Sequence, residues 1–199
     1  MRTAVISDVH CDTYKLSEIL EDVIAGGCRI LACCGDFECS DAVDMLRETP
    51  FKTVLVHGNM DNPFLIRFIE DLGLSIHGRA TELYGYSFVG IGARASKDDF
   101  RRVSEQLDLL DNTRTILVTH IPPYGTSIDV AFNGVHIGSK LIRRLVEEYS
   151  PRAVFCGHVH EAAGLDWIGE TLIVNPGPVA WGRYALVDLD TLEVKLIEK

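Results

Sequence analysis

No apolar run in this chain approaches the roughly 18 residues of a membrane-spanning helix, so a membrane is not an expected partner. Basic residues are scarce: 19 Lys and Arg stand against 29 Asp and Glu, a formal net charge of -10, and they form no stripe. A long nucleic acid is bound by exchanging its counterions for such a stripe, and is excluded as a partner here. Two bound dications would lift the charge only to about -6, which leaves a small phosphate ester, steered by local metal charge, compatible. No C-x-x-C pair occurs among Cys11, Cys28, Cys33, Cys34, Cys39 and Cys156, and six reduced thiols in a cytoplasmic protein are expected. Cys11 and Cys39 each stand three residues beyond an aspartate, where they can line a site; thiolate ligation is not expected of them. Internal repeats, low-complexity segments and linkers are missing too, and residues 1–199 read as one domain with a sizeable core. The opening Met1–Asp8 turns acidic too soon for a signal peptide and reads as a first core strand.

What is present alternates. Thr3–Ser7 reads as a strand and Thr13–Ala25 as a helix with Leu16, Ile19, Leu20, Val23 and Ile24 on one face, stopped by Gly26-Gly27. The strand Arg29–Cys34, a short helix at Asp41–Arg47, the strand Lys52–His57 and the helix Pro63–Leu72 follow. Such alternation implies parallel strands with helices on the sheet faces. Beyond it lie short turn-bounded strands at Ser75–His77, Glu82–Tyr84 and Tyr86–Ile91, an edge that a homo-oligomer can use. A helix at Lys97–Leu110 leads to the strand Thr115–Thr119, then to an 18-residue stretch, Ile121–Gly138, rich in Gly, Pro and Asn. Loops of that length inside a domain are usually functional. The helix Ser139–Tyr149 and the strands Arg152–Cys156, Ala162–Trp167, Thr171–Val174, Tyr184–Asp188 and Glu193–Ile197 complete the chain. The pattern is an α/β domain of two sheets packed face to face and covered by helices.

Five of these strands end in metal-ligand residues: Asp8-x-His10, Gly35-Asp36, Gly58-Asn59-Met60-Asp61, His120, and Gly157-His158-x-His160. Ligands of open α/β sheets bind beyond the carboxyl ends of strands, and three of the motifs carry a glycine that lets backbone approach closely. Two carboxylates, one amide oxygen and four imidazoles are enough to hold two divalent cations side by side, a common arrangement for cleaving phosphate esters. The mixed oxygen and imidazole set suits Mn²⁺, Fe²⁺, Ni²⁺ or Zn²⁺ better than Ca²⁺ or Mg²⁺.

The order D-x-H, G-D, G-N-x-D, H, G-H-x-H resembles the calcineurin-like metallophosphoesterase superfamily and spans nearly the whole chain. The finer texture, Thr119–Gly125, Gly134–Ser139 and Asn175–Pro178, is similar to a branch of small prokaryotic phosphoesterases. The resemblance implies a four-layer α/β/β/α sandwich. It implies one metal on Asp8, His10, Asp36 and His160, and a second on Asp36, Asn59, His120 and His158, with Asp36 bridging. It further implies Mn²⁺ as the assay metal and in-line attack on phosphorus by a hydroxide held between the metals. The expected activity is phosphodiester cleavage on small substrates; a phosphomonoesterase, or a metal-binding scaffold like a retromer subunit of the same fold, are the alternatives.

Met60 departs from the family, many of whose members carry there a histidine that protonates the leaving oxygen. A thioether carries no proton, and general-acid help is worth about 10²–10⁴ in rate. His136, in the long loop, is the candidate replacement, so Asp36, Asn59 and His136 form the catalytic set. Ser139, at a helix start whose amides favour an anion, joins His136 as substrate-binding candidate. Against this stands a plainer reading, with Ser139 a helix cap and His136 a surface histidine. His57 reads as a packed strand-end histidine or as support for a ligand, His77 as a surface residue, and Asp61 has no assigned role. Asn175-Pro176-Gly177 reads as a turn holding the ligand loops, and Arg183 and Tyr124 as substrate contacts or solvent-facing residues.

Overall fold

The computed structural model describes residues 1–199 and contains two sheets. The first half supplies β1 (Arg2–Ile6), α1 (Thr13–Ala25), β2 (Ile30–Cys33), α2 (Ser40–Arg47), β3 (Lys52–Leu55) and α3 (Pro63–Asp71). Then come β4 (Ala80–Leu83), β5 (Tyr86–Ile91), α4 (Lys97–Leu107), β6 (Thr115–Thr119), α5 (Lys140–Tyr149) and β7 (Ala153–Phe155). The chain closes with β8 (Gly164–Ile168), β9 (Thr171–Asn175), β10 (Arg183–Asp188) and β11 (Val194–Glu198). The first sheet runs β11-β10-β1-β2-β3 and the second β4-β5-β6-β7-β9-β8. In the first, β1, β2 and β3 are parallel; in the second, β5, β6, β7 and β9 are parallel, with antiparallel strands at the edges.

Side-chain alternation builds the layers. On β1, Ala4 and Ile6 face α1 and α2, whereas Val5 faces the other sheet. The middle layer of core joins Val5, Ile30, Ala32 and Val54 of the first sheet to Phe88, Ile116, Val118 and Phe155 of the second. Outside the second sheet, Ile91, Leu117 and Val154 pack on Val103 of α4 and on Ile142 and Val146 of α5. The result is the expected α/β/β/α sandwich. Because the central strands are buried on two faces, they read as continuous apolar runs.

Helix starts are well specified. Asp12 caps α1, and Asn62 accepts from Phe64 and Leu65 N–H to cap α3 behind Pro63. Ser96 and Asp99 form a reciprocal capping box on α4. One expected strand is corrected: Ser75 and His77 make only isolated bridges, to Leu55 of the first sheet and Gly90 of the second. A segment that steps from one sheet to the other cannot lie along either as a strand.

The cysteine expectation is corrected as well: Cys11 and Cys39 form a disulfide. Parallel pairing of β1 with β2 continues beyond the strands, where His10 N–H donates to the Asp36 carbonyl and Cys11 N–H to that of Phe37. Two loops so tied place residues 11 and 39 with Cα atoms 5.5 Å apart. The other four thiols are buried and free, as expected. The bridge spans a sequence separation of 28 residues, and cross-linking such a loop is worth about 3–4 kcal/mol. Urea unfolding with and without reductant is therefore expected to show a lower midpoint in reductant, and Cys11→Ser should unfold alike in both. Equal midpoints for the parent protein would contradict the bridge.

Candidate metal centre

All seven expected ligands lie beyond the carboxyl ends of parallel strands. The first sheet delivers Asp8 and His10 after β1, Asp36 after β2 and Asn59 after β3; the second delivers His120 after β6 and His158 and His160 after β7. Face-to-face packing brings the two sets together, and backbone bonds lock them. Asp8 N–H donates to the Gly35 carbonyl at 2.9 Å, and Gly157 N–H to that of His120 at 2.9 Å. His158 N–H donates to Asp8 Oδ2 at 3.0 Å, from one sheet's loop to the other's. Close approach needs glycine at two points: a Cβ on Gly58 would collide with the Asp36 carboxylate, and one on Gly157 with Ser7 and Asp8.

Backbone strain concentrates here. Asp8, His10, Cys11, Asp36, Glu38 and His158 all have φ between 48° and 71°, a region non-glycine residues seldom occupy. Each costs of order 1–3 kcal/mol, and such residues cluster at functional sites.

Counting protons shows what the site needs. His120 Nδ1 lies 2.7 Å from the Cys34 carbonyl, which can only accept, so Nδ1 carries the hydrogen. Its Nε2 then faces Asn59 Oδ1 at 2.8 Å and Asp36 Oδ2 at 3.4 Å, two acceptors that call for a proton or a cation on that nitrogen. His10 repeats the pattern: Nδ1 donates to Glu38 Oε1 at 2.6 Å, and Nε2 faces His160 Nε2 at 3.1 Å. Asp8 is fully buried, yet its Oδ1 has no hydrogen bond of acceptable geometry, although His160 Nε2 is 3.3 Å away. These are donor atoms for a cation. Two groups converge within 4.8 Å, Asp8–His10–His160 and Asp8–Asp36–His120. Asp8 is common to both, and Asp36, the bridging residue that the resemblance implies, joins His120 in the second. His158 belongs to neither group; its ring stands edge-on to that of His120, with centroids 5.1 Å apart.

Charge follows the same logic. Burial opposes ionisation of Asp8 and Asp36, but His160 and His120 beside the first, and His120 beside the second, hold both below the usual carboxylate range. Burial also opposes protonation of His120, and is outweighed by Asp36 and Asp8, so its pKa rises. The Asp8 carboxylate, 3.3 Å from its Nε2, raises His160, while burial and then His120 lower His158, keeping that ring neutral and able to ligate.

Residues without an expected role support these. Asp61 is wholly buried, and its carboxylate accepts four backbone N–H groups: Phe37 at 2.7 Å, Gly58 at 2.8 Å, Glu38 at 2.9 Å and Asp36 at 3.1 Å. It therefore shapes the loops of β2 and β3 at once. Met60 contributes through its backbone, whose N–H donates to Asp36 Oδ1 at 2.7 Å, while its side chain is 55% exposed. Glu38 orients His10, and Trp181 stands edge-on to His160 at 5.6 Å. Asn175 holds the last ligand loop, donating to the Val159 and Ala162 carbonyls.

The remaining candidates lie apart from the cluster. His136 Nδ1 donates to the buried Asp129 at 2.6 Å, and Asp129 also accepts from Gly125, Thr126 and Gly138 N–H, organising the long loop. No hydrogen bond joins His136 to any of the seven. Ser139 caps α5 by accepting from Ile142 N–H at 3.3 Å. His57 is buried at the end of its strand and pushed down to about 4 by burial and by His77 and His120. The surface reading of His77 is corrected: it packs on His57 with centroids 4.6 Å apart and accepts from Gly92 N–H. Arg183 is engaged with Glu198, and the Tyr124 ring lies beside Lys140 and His136.

Comparison with known proteins gives the family and the fold. The sequence matches the calcineurin-like phosphoesterase superfamily domain over residues 1–192. It is 30% identical over 175 residues to the uncharacterized protein MJ1162 of Methanocaldococcus jannaschii, covering 78% of this chain and 80% of that one. The fold superposes on TT1561 of Thermus thermophilus with TM-score 0.80 at 18% identity, covering 99% and 98% of the two chains. It also superposes on an archaeal phosphodiesterase with TM-score 0.67 at 15% identity, over the full length of both.

Asp61→Asn is expected to lower the unfolding free energy by roughly 3 kcal/mol, since it turns an acceptor of four amides into a partial donor. Met60→Ala should change it by no more than about 0.5 kcal/mol. Urea denaturation of the metal-free proteins checks both, and a loss below about 1 kcal/mol for Asp61→Asn would contradict its assigned role.

Proposed function

The chain belongs to the calcineurin-like phosphoesterase superfamily, and on that premise we propose that it is a two-metal phosphodiesterase acting on small phosphate diesters. The observation that carries this is the convergence of Asp8, His10 and His160, and of Asp8, Asp36 and His120, at the meeting point of the two sheets. Asp8, His10, Asp36 and His160 would hold one divalent cation, and Asp36, Asn59, His120 and His158 the other, with Asp36 shared. Mn²⁺ is the proposed metal. Bound there, such cations supply Lewis acidity toward phosphoryl oxygens and lower the pKa of water.

The chain's own residues set the conditions for that chemistry. The ionised Asp8 and Asp36 offset cation charge, and Glu38 and the Cys34 carbonyl fix the tautomers of His10 and His120 so that Nε2 points inward. Arg94 donates to the Asn59 carbonyl, and Arg183 is engaged with Glu198. The resemblance in fold to an archaeal phosphodiesterase supports the choice of a diester. His136, oriented by Asp129 and 41% exposed in its side chain, is the proposed proton donor to a poor leaving group, with Ser139 at the neighbouring helix start on the substrate side.

Mn²⁺-reconstituted hydrolysis of bis(4-nitrophenyl) phosphate beside 4-nitrophenyl phosphate tests the proposal. The diester is expected to be cleaved faster, with a loss of about 10²-fold or more in Asp36→Asn. Faster cleavage of the monoester would overturn the diester reading. His136→Ala should leave the nitrophenyl diester within about threefold of the parent, and slow a dialkyl diester by about 10²-fold. Unchanged dialkyl turnover would remove His136 from the site.

A further inference from the structure

A cavity of about 200 Å³ lies on the outer face of the second sheet, between the first turns of α4 and α5. Ile91, Phe100, Ile121, Leu141 and Ile142 line it, and no charged side chain does. Each of its two hydroxyls makes one hydrogen bond: Thr119 Oγ1 donates to the Ile121 carbonyl at 2.9 Å, and Ser139 Oγ accepts from Ile142 N–H at 3.3 Å.

Two loops run from the cavity wall to the metal centre. Thr119 and Ile121, in its wall, flank His120 in the chain. On the opposite wall, Ala93 N–H donates to the His57 carbonyl at 3.0 Å, and the next residue, Arg94, donates to the Asn59 carbonyl at 2.9 Å. The loops that hold Asn59 and His120 thus also form the cavity's rim. Leu141, 47% exposed, stands at its mouth.

We infer that this cavity receives one uncharged aryl group of the phosphate ester whose phosphate sits at the metal centre, an inference that rests on the phosphoesterase reading. An apolar cavity of about 150 Å³ is enough for a benzene ring, so a single ring fits here. A sugar or polyol would lose more hydration than the wall replaces, since the Thr119 hydroxyl already donates to the Ile121 carbonyl and only Ser139 keeps an O–H to offer. The exposed Met60 thioether fits the same class of substrate. No proton is available from that position, and an aryloxide, being a weak base, leaves without one.

The test uses Zn²⁺-loaded protein with methyl-labelled Ile and Leu, titrated with phenylphosphonate and with ethylphosphonate, neither of which can be hydrolysed. Phenylphosphonate is expected to bind about tenfold more tightly, with shifts at the methyls of Ile91, Ile121 and Ile142. Leu141→Asp, tolerated at a helix start, should remove the preference, and Leu141→Met should keep it. Equal affinities, no binding of either, or shifts confined to other methyls would overturn the cavity's role. Failure of the phosphoesterase reading looks different: the phenyl preference would persist while the metal-loaded protein hydrolysed no ester.

Discussion

A cluster of acceptor atoms that needs a proton or a cation between its members is the constraint to which this fold answers. His120 Nε2 against Asn59 and Asp36, and His10 Nε2 against His160, are favourable contacts only with a proton or a cation between them. The fold holds that cluster in place by over-determining the loops. Asp61 collects four amides from two of them, the Cys11–Cys39 bridge ties the loop of His10 to that of Glu38, and Asn175 clamps the third. The positive φ angles of Asp8, His10, Asp36 and His158 are the strain these supports hold in place.

Much of this is legible in the sequence because metal chemistry imposes both residue type and position. A ligand must follow a strand's carboxyl end, and the apolar runs that mark the strands are themselves demanded by burial on two faces. Asp8, His10, Asp36, Asn59, His120 and His160 can therefore be named before their contacts are known. What cannot be read is whatever depends on two loops meeting. Cys11 and Cys39 carry no signal of pairing at a spacing of 28, and Asp61 acts on amides some 24 residues away. His77 lies far from the motifs in sequence and against His57 in space. Ser75–His77 has strand composition but serves as a step between sheets, a distinction set by tertiary contacts alone.

The same division holds on the substrate side. The length and composition of Ile121–Gly138 mark it as functional, yet its internal order comes from one buried carboxylate, Asp129, that gathers three amides and His136. Ser139 is the cap of α5, the plainer of its two readings. Met60, conspicuous as a missing histidine, still serves the centre through its N–H to Asp36, so its side chain is free to vary. The lack of a proton donor at that position and an apolar cavity whose wall carries Thr119 and Ile121, on either side of His120 in the chain, are consistent with each other. Both favour an ester whose leaving group needs little help.

Everything above turns on whether two divalent cations share Asp36. Calorimetric titration of metal-free protein with Mn²⁺, with Asp36→Asn run alongside, decides it. Two equivalents should bind per chain, and both sites should weaken in the variant, because Asp36 is the proposed ligand of both cations. A single equivalent, or a variant that loses one site and keeps the other intact, would contradict the shared aspartate.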